Sequence, residues 1–181
     1  KSRPDRKGEL TMSENRTCSF TGHRTVPAAH RGVLPDLLAR AIAYAYGEGC
    51  RIFYAGGALG FDTYAARAVI AFRLSHPEVR LVLLLPCIDQ AEGWSASDRA
   101  EYEWILHEAD ETEYFADAYT KDCMRRRNLA LAERGDLLIA YVGHDRSGAA
   151  QTLRAAVRCG KRVYNLFSHC GEKKTKEKTD G

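Results

Sequence analysis

A glycine-rich loop between an apolar stretch and a helical pattern is the clearest sign of chemistry in this sequence. The stretch FYAGGALGFDTYAARAV (53–69) contains it, and the loop itself reads Gly56-Gly57-Ala58-Leu59-Gly60-Phe61-Asp62. Glycine permits positive φ and leaves space beside the backbone, while the free N–H groups of a following helix attract anions. The loop matches neither GxGxxG nor GxxxxGK[ST]. It therefore indicates either a phosphate-binding loop or a tight strand-to-helix turn.

Polar residues also follow the first apolar stretch of the chain, where the sequence reads Gly22-His23-Arg24. The Arg24 guanidinium suits a phosphate and His23 can titrate or stack, whereas a surface arginine and a hydrogen-bonded histidine are the alternatives. Asp62 has two interpretations as well. It caps the helix that follows, or its carboxylate binds ribose hydroxyls beside a cleft.

Two further segments lie at the beginnings of predicted helices. RRRN (125–128) spreads three consecutive cations around a helix axis, so two should face solvent while the third, with Asn128, can turn inward to a phosphate or base. SGAAQT (147–152) begins with Ser147 and Gly148 and supplies either a second anion site or only a helix cap.

Alternating strands and helices must position these segments. Short apolar runs alternate with helical stripes about six times, which predicts an α/β fold with a doubly wound, mostly parallel sheet and helices on both faces. Ligands of such sheets bind beyond the carboxyl ends of the strands, where all four segments fall. The predicted strands are 17–21, 51–55, 81–85, 113–115, 137–142 and 162–166, and the predicted helices are 34–45, 65–72, 98–109, 120–133 and 149–158.

The 181 residues suit one domain, which we place at 17–167 between two disordered, charged tails at 1–16 and 168–181. The net charge of +3 belongs to the tails. They carry five Lys/Arg against three Asp/Glu and four against three, which leaves 18 of each sign in the domain. Because a protein that holds DNA by its phosphates usually has a basic excess, this balance favours other ligands over nucleic acid.

The sequence contains no motif typical of a metal site or of a catalytic nucleophile. The six cysteines form no CxxC pair, no His or Cys partner stands at metal-ligand spacing, and GxSxG is missing, so we name no metal ligand and no catalytic residue. We expect buried thiols in a reducing compartment. No window has the roughly 20 apolar residues of a membrane span, and the expected location is the cytoplasm.

The same segments resemble a known family. CSFTGHR (18–24), AGGALGFDT (55–63), Gln90, Trp94 and Tyr102, together with RRRN and SGAAQT, look like the YpsA-like proteins of the SLOG superfamily. This Rossmann-like group is related to DprA/Smf and to the LOG phosphoribohydrolases. The resemblance implies a Rossmann-like sheet whose loops bind a nucleotide or nucleotide-derived ligand, such as ADP-ribose or NAD. The residues it assigns to the ligand are Gly22, His23, Arg24, Gly56, Gly57, Ala58, Gly60, Asp62, Arg127, Asn128, Ser147 and Gly148.

Three functions follow for testing. The first is a module that senses or sequesters a small nucleotide-like ligand. The second is a hydrolase of an N-glycosidic or phosphoester bond with Asp62 as base, although the PGGxGTxxE of the phosphoribohydrolases is missing. The third is single-stranded DNA binding, as in DprA-like relatives. The sequence is compatible with a homo-oligomer, and no membrane partner is expected.

Overall fold

A computed structural model describes residues 16–171 of the chain. The two predicted tails lie outside these residues except for Arg16, which begins the first strand, and 168–171, which include a short 3-10 helix at Ser168–Cys170. The described part therefore extends slightly beyond the predicted 17–167.

Within residues 16–171, six strands alternate with six helices, and all of them except the first helix lie close to a predicted position. The strands are β1 (Arg16–Gly22), β2 (Cys50–Ala55), β3 (Arg80–Leu85), β4 (Glu111–Tyr114), β5 (Leu137–Tyr141) and β6 (Arg162–Asn165). The helices are α1 (Ala28–Arg31), α2 (Leu34–Gly47), α3 (Phe61–Arg73), α4 (Ala96–Glu108), α5 (Lys121–Arg134) and α6 (Gly148–Arg158).

All six strands pair in parallel, in the order β4-β3-β2-β1-β5-β6. The chain moves outward from β1 to β4, then returns through α5 to place β5 on the other side of β1. The strand order thus reverses between β1 and β5, and the loops that follow these two strands diverge there. This arrangement confirms the predicted α/β, doubly wound sheet.

The positions of the apolar residues in the strands explain why helices cover both faces of the sheet. All five residues of β5 are buried, as expected for a strand covered on both faces. In β2, the side chains alternate between the two sides of the sheet: Phe53 joins the core beneath α2 and α3, whereas Tyr54 packs against the core beneath α5. Helices α5 and α6 therefore cover one face, and α2, α3 and α4 cover the other.

Three details differ from the sequence predictions. Helix α1 was not expected, because four residues are too few to show a helical period. Helix α3 begins at Phe61, four residues before the predicted start at 65, and the Phe61 ring packs against Gly22. The prediction of buried thiols is wrong for Cys159, which is exposed at the end of α6, while the other five cysteines are buried.

Candidate functional site

A cleft of about 840 Å³ opens where the loops after β1 and β5 diverge. Four segments far apart in the sequence form its walls: the loop after β1, the start of α3, the first turns of α5, and the loop from β5 into α6. Because the two loops lead to helices on opposite faces of the sheet, a crevice remains between them, and ligands of doubly wound sheets bind at this point.

Nine of the twelve residues assigned from the sequence line the cleft. They are Gly22, His23, Arg24, Ala58, Asp62, Arg127, Asn128, Ser147 and Gly148. The remaining three, Gly56, Gly57 and Gly60, do not line the cleft. Their lack of a side chain allows the loop to pack closely.

Gly57 and Gly60 have positive φ, 65° and 76°, which side-chain-bearing residues rarely adopt. A Cβ on Gly60 would lie 2.2 Å from the Arg24 carbonyl oxygen, and one on Gly57 would lie 2.3 Å from the Leu85 side chain. The Gln90 amide supports the loop from its other side, because it donates a hydrogen bond to the Gly57 carbonyl at 3.1 Å. The loop is therefore a tight turn that presses against the loop after β1.

Asp62 and Arg127 are the buried charges of the cleft, with exposed fractions of 5% and 4%. Arg127 Nη1 donates a hydrogen bond to the Gly56 carbonyl, and the Asp62 carboxylate accepts one from the Ala58 N–H at 3.2 Å. Gly56 separates the two side chains: a Cβ there would lie 2.5 Å from Arg127 Nη1 and 2.6 Å from Asp62 Oδ2. Glycine is required at this position because both charged groups occupy the space of a side chain.

Burial raises the pKa of the Asp62 carboxyl, while the Arg127 charge, the Ala58 N–H and the Arg24 charge oppose the shift. Burial also lowers the pKa of Arg127, and the Asp62 charge opposes that shift. Arginine nevertheless stays protonated, because its ordinary pKa lies far above neutral pH. Asp62 is the second residue of α3 and does not cap it, since the capping position belongs to Gly60.

Arg127 also connects α5 with the start of α6. Its Nε donates a hydrogen bond to Asn128 Oδ1 at 2.9 Å, and the Asn128 amide nitrogen lies against Gly148, where a Cβ would come within 3.1 Å of it. Ser147 caps α6, since its hydroxyl accepts a hydrogen bond from the Ala150 N–H at 3.0 Å. We call three lining residues, Asp62, Arg127 and Asn128, together with the Gly56 carbonyl that Arg127 bonds, the floor of the cleft.

The exposed cations of the cleft are Arg24, Lys121 and Arg125, which we call the rim. Within residues 16–171, no hydrogen bond or ion pair holds the side chain of Arg24 or Lys121. Arg125 pairs with Asp122 at 3.0 Å, and both side chains are more than half exposed. The cleft is thus basic although the domain is neutral, because its one lining carboxylate, Asp62, faces the Arg127 charge.

His23 lies at the β5 side of the cleft, and its Nε2 accepts a hydrogen bond from the Gly143 N–H at 2.8 Å. Its ring stacks on His144, with centroids 4.2 Å apart and planes 9° apart. Burial first, and then the neighbouring His144, lowers the pKa of His23. His23 is therefore neutral at pH 7, with its proton on Nδ1.

Sequence reasoning missed Lys121 and His144, and it gave no ligand role to Arg125 of the RRRN segment, although all three residues line the cleft. Lys121 and Arg125 are four residues apart and so share one helix face, which is a signal the sequence did contain. His144 had only its position after a predicted strand to mark it.

Groups of three or more metal-ligating side chains do not occur in the described part of the chain. Among residues 16–171, no helix is both long and apolar enough to cross a membrane.

The fold and the cleft define a doubly wound α/β protein with a basic crevice at the point where the strand order reverses. A family model, described as the YspA SLOG family and named YpsA, matches residues 27–166. The chain belongs to this family, which confirms the resemblance seen in the sequence. It is 26% identical over 148 residues to a UPF0398 protein of Bacillus thuringiensis (strain Al Hakam), covering 77% of this chain and 78% of that relative. A UPF0398 protein of Halalkalibacterium halodurans is 30% identical over 128 residues, 66% of each chain.

Two solved structures share the fold. DNA processing protein A (DprA) of Streptococcus pneumoniae superposes with a TM-score of 0.60 and 17% identity, over 83% of this chain and 50% of that one. DprA of Helicobacter pylori was solved in work on its single-stranded DNA binding mode. It superposes with a TM-score of 0.58 and 19% sequence identity, over 82% of this chain and 64% of that one. This chain thus spans only about half to two thirds of either DprA chain, and the likeness concerns the fold.

Proposed function

We propose that this protein binds single-stranded DNA and that the rim of the cleft holds its phosphates. The observation that carries the proposal is the pair Arg24 and Lys121, two exposed cations that line one open cleft and whose side chains no hydrogen bond or ion pair engages within the described residues. Phosphate groups recruit such cations, since each contact releases counterions from the nucleic acid.

The solved neighbours support a nucleic-acid ligand. Single-stranded DNA binding is the subject of the Helicobacter pylori DprA structure, and that protein shares its fold with this chain over 82% of this chain's residues. At 19% identity the support concerns the fold. The residues proposed to act are this chain's own.

The neutral charge of the domain does not oppose the proposal. Many of the acidic side chains form ion pairs with arginines away from the cleft, such as Glu113 with Arg134 and Glu111 with Arg80 on the edge strand β4. What a phosphate meets is the local charge of the cleft. This charge is positive because two rim cations, Arg24 and Lys121, form no ion pair with a carboxylate among the described residues, whereas the floor pairs the Asp62 and Arg127 charges.

A small nucleotide-derived ligand, such as ADP-ribose or NAD, is the second candidate. The size of the cleft favours it, since about 840 Å³ lies within the range of roughly 300–1,000 Å³ that is typical of small-molecule sites. Such a ligand would use the same rim cations for its phosphates. The main difference is that an oligonucleotide would continue beyond the cleft.

The test is fluorescence anisotropy of a labelled oligothymidylate as the salt concentration is raised from about 50 to about 200 mM. We expect saturable binding that weakens with salt. Arg24→Ala should lower the affinity about tenfold and reduce the slope of log K against log salt by about 1.

Arg158→Ala is the matched control, because Arg158 is an exposed arginine at the far end of α6, roughly 15 Å along the helix from the cleft. It should bind like the wild type. Calorimetric titration with ADP-ribose, NAD and nucleoside monophosphates separates the candidates: binding of one of these without binding of the oligonucleotide would select the second candidate. An absence of both kinds of binding would refute the proposal.

A further inference from the structure

Two histidines form a flat stack at the mouth of the cleft. The ring of His23 is fixed by the hydrogen bond from the Gly143 N–H to its Nε2, and it meets Tyr141 and Phe167 edge-on, at centroid distances of 6.2 and 6.0 Å. His144 lies parallel on this ring at 4.2 Å. His23 is therefore anchored against the core, and its ring supports one face of His144, although both are loop residues.

The other face of His144 is available to a ligand. His144 is exposed and lines the cleft, and His23 covers one face of its ring. Within residues 16–171, no other ring contact of His144 is present. A planar ring with one supported face and one open face is the arrangement that proteins use to stack nucleobases.

The rim cations stand beside this stack. Arg24 directly follows His23, so their Cα atoms are about 3.8 Å apart, and Lys121 lines the same cleft from α5. A nucleotide whose phosphate meets Arg24 would therefore carry its base near the histidine stack. The rim cations would bind the phosphate, which needs positive charge, and the histidine stack would bind the base, which needs a flat surface.

We propose that the open face of His144 stacks on a nucleobase of the ligand whose phosphates the rim holds, with His23 as the positioning residue beneath it. This inference rests on the proposed function but adds a base-dependent contribution to a phosphate-dependent one. It applies equally to an oligonucleotide and to a free nucleotide, since both present the same ring.

The test compares two oligonucleotides with the same phosphates, oligothymidylate and an abasic strand of equal length, by anisotropy at one salt concentration. His144→Ala should lower the affinity for oligothymidylate about tenfold, as the loss of one stacked base does, and should leave the affinity for the abasic strand unchanged. His144→Trp should keep or improve the affinity for oligothymidylate, because a larger ring also stacks.

A strand containing 2-aminopurine gives a second measurement, since stacking quenches its fluorescence. We expect the wild type to quench the 2-aminopurine fluorescence and His144→Ala to quench it less. His107→Ala is the matched control, as His107 is an exposed histidine of α4 that does not line the cleft. If only nucleotides bind, 2-aminopurine ribonucleotide against ribose 5-phosphate replaces the two strands.

The outcomes separate this inference from the proposed function. Salt-dependent binding of the wild type to both strands with no effect of His144→Ala would overturn base stacking and leave phosphate binding intact. An equal loss for both strands would also overturn it, because it would assign His144 to the phosphates or to the shape of the loop. Failure of the wild type to bind any of the probes would refute both proposals.

Discussion

The floor and the rim of the cleft contain the same type of side chain in opposite situations. Arg127 of the floor is 4% exposed and donates hydrogen bonds to the Gly56 carbonyl and to Asn128. Arg24 of the rim is exposed, and no hydrogen bond or ion pair within the described residues holds its side chain. An arginine in a cleft is thus not always a ligand-binding group. Arg127 holds the protein's own loops together, whereas the rim is the region for which we propose ligand binding.

Arg127→Ala should give the largest effect, which is on stability. The substitution leaves the Gly56 carbonyl without its donor and removes the opposing charge from buried Asp62, so we expect a loss of about 3 kcal/mol in the free energy of unfolding. Denaturant unfolding measures it. Arg127→Lys keeps the charge but cannot bond both partners, and it should fall between the wild type and Arg127→Ala. Wild-type stability in Arg127→Ala would contradict the structural role of the floor.

Gly60→Ala should have the second-largest effect on stability, because Gly60 packs against the backbone of Arg24, a rim residue. The backbone there has φ of 76°, and a Cβ would meet the Arg24 carbonyl at 2.2 Å. We expect a loss of about 2 kcal/mol in the free energy of unfolding, together with weaker oligonucleotide binding as Arg24 shifts. Gly32→Ala is the control, since Gly32 has φ of −79° and nothing lies within 4 Å of its added Cβ. An equal effect of both substitutions would show that the tight turn is unimportant.

Lys121→Gln tests the rim without disturbing the floor. The side chain is exposed at the first position of α5, so the free energy of unfolding should change by less than about 0.5 kcal/mol. Affinity for oligothymidylate should fall about fivefold, with a shallower salt dependence. A variant that loses stability rather than affinity would place Lys121 with the floor and remove the distinction between the two regions.

The pH dependence should be the smallest effect. The folded state depresses the pKa of His23 below its ordinary value of 6.5, so the unfolded chain binds a proton first as the pH falls. This contribution to stability is complete above about pH 6.5 and is lost as the pH falls through the lowered pKa. His23→Gln should flatten the profile of Tm against pH in this interval, and His107→Ala should not. An unchanged profile in His23→Gln would contradict the neutral, Gly143-bonded state of His23.

The sequence was sufficient for the architecture because the signals of its elements are local. The apolar run LLIAY at β5 predicts a strand buried on both faces, and the apolar stripe of α2 predicts one covered helix face. Short helices are the exception. Four-residue α1 shows no period, and so only the structure revealed it.

The candidate site was predictable as a place but not as a set of contacts. Gly22-His23-Arg24 and Asp62 follow predicted strands, and parallel strands bring such residues to one edge. Lys121 was missed although its spacing of four residues from Arg125 places both on one face of α5. His144 was missed because a single histidine in a loop has no local pattern that separates it from other surface residues.

The sequence by itself determined the order and type of the elements, the parallel sheet, and the edge at which a ligand would bind. Only the tertiary structure decided which charges are buried and which remain open. Arg127 meets Gly56 across 71 residues of chain, and His23 meets Gly143 across 120. Burial and hydrogen bonding between such distant residues depend on how α5 and the β5 loop pack over the sheet, and no local preference of an arginine or a histidine contains that information.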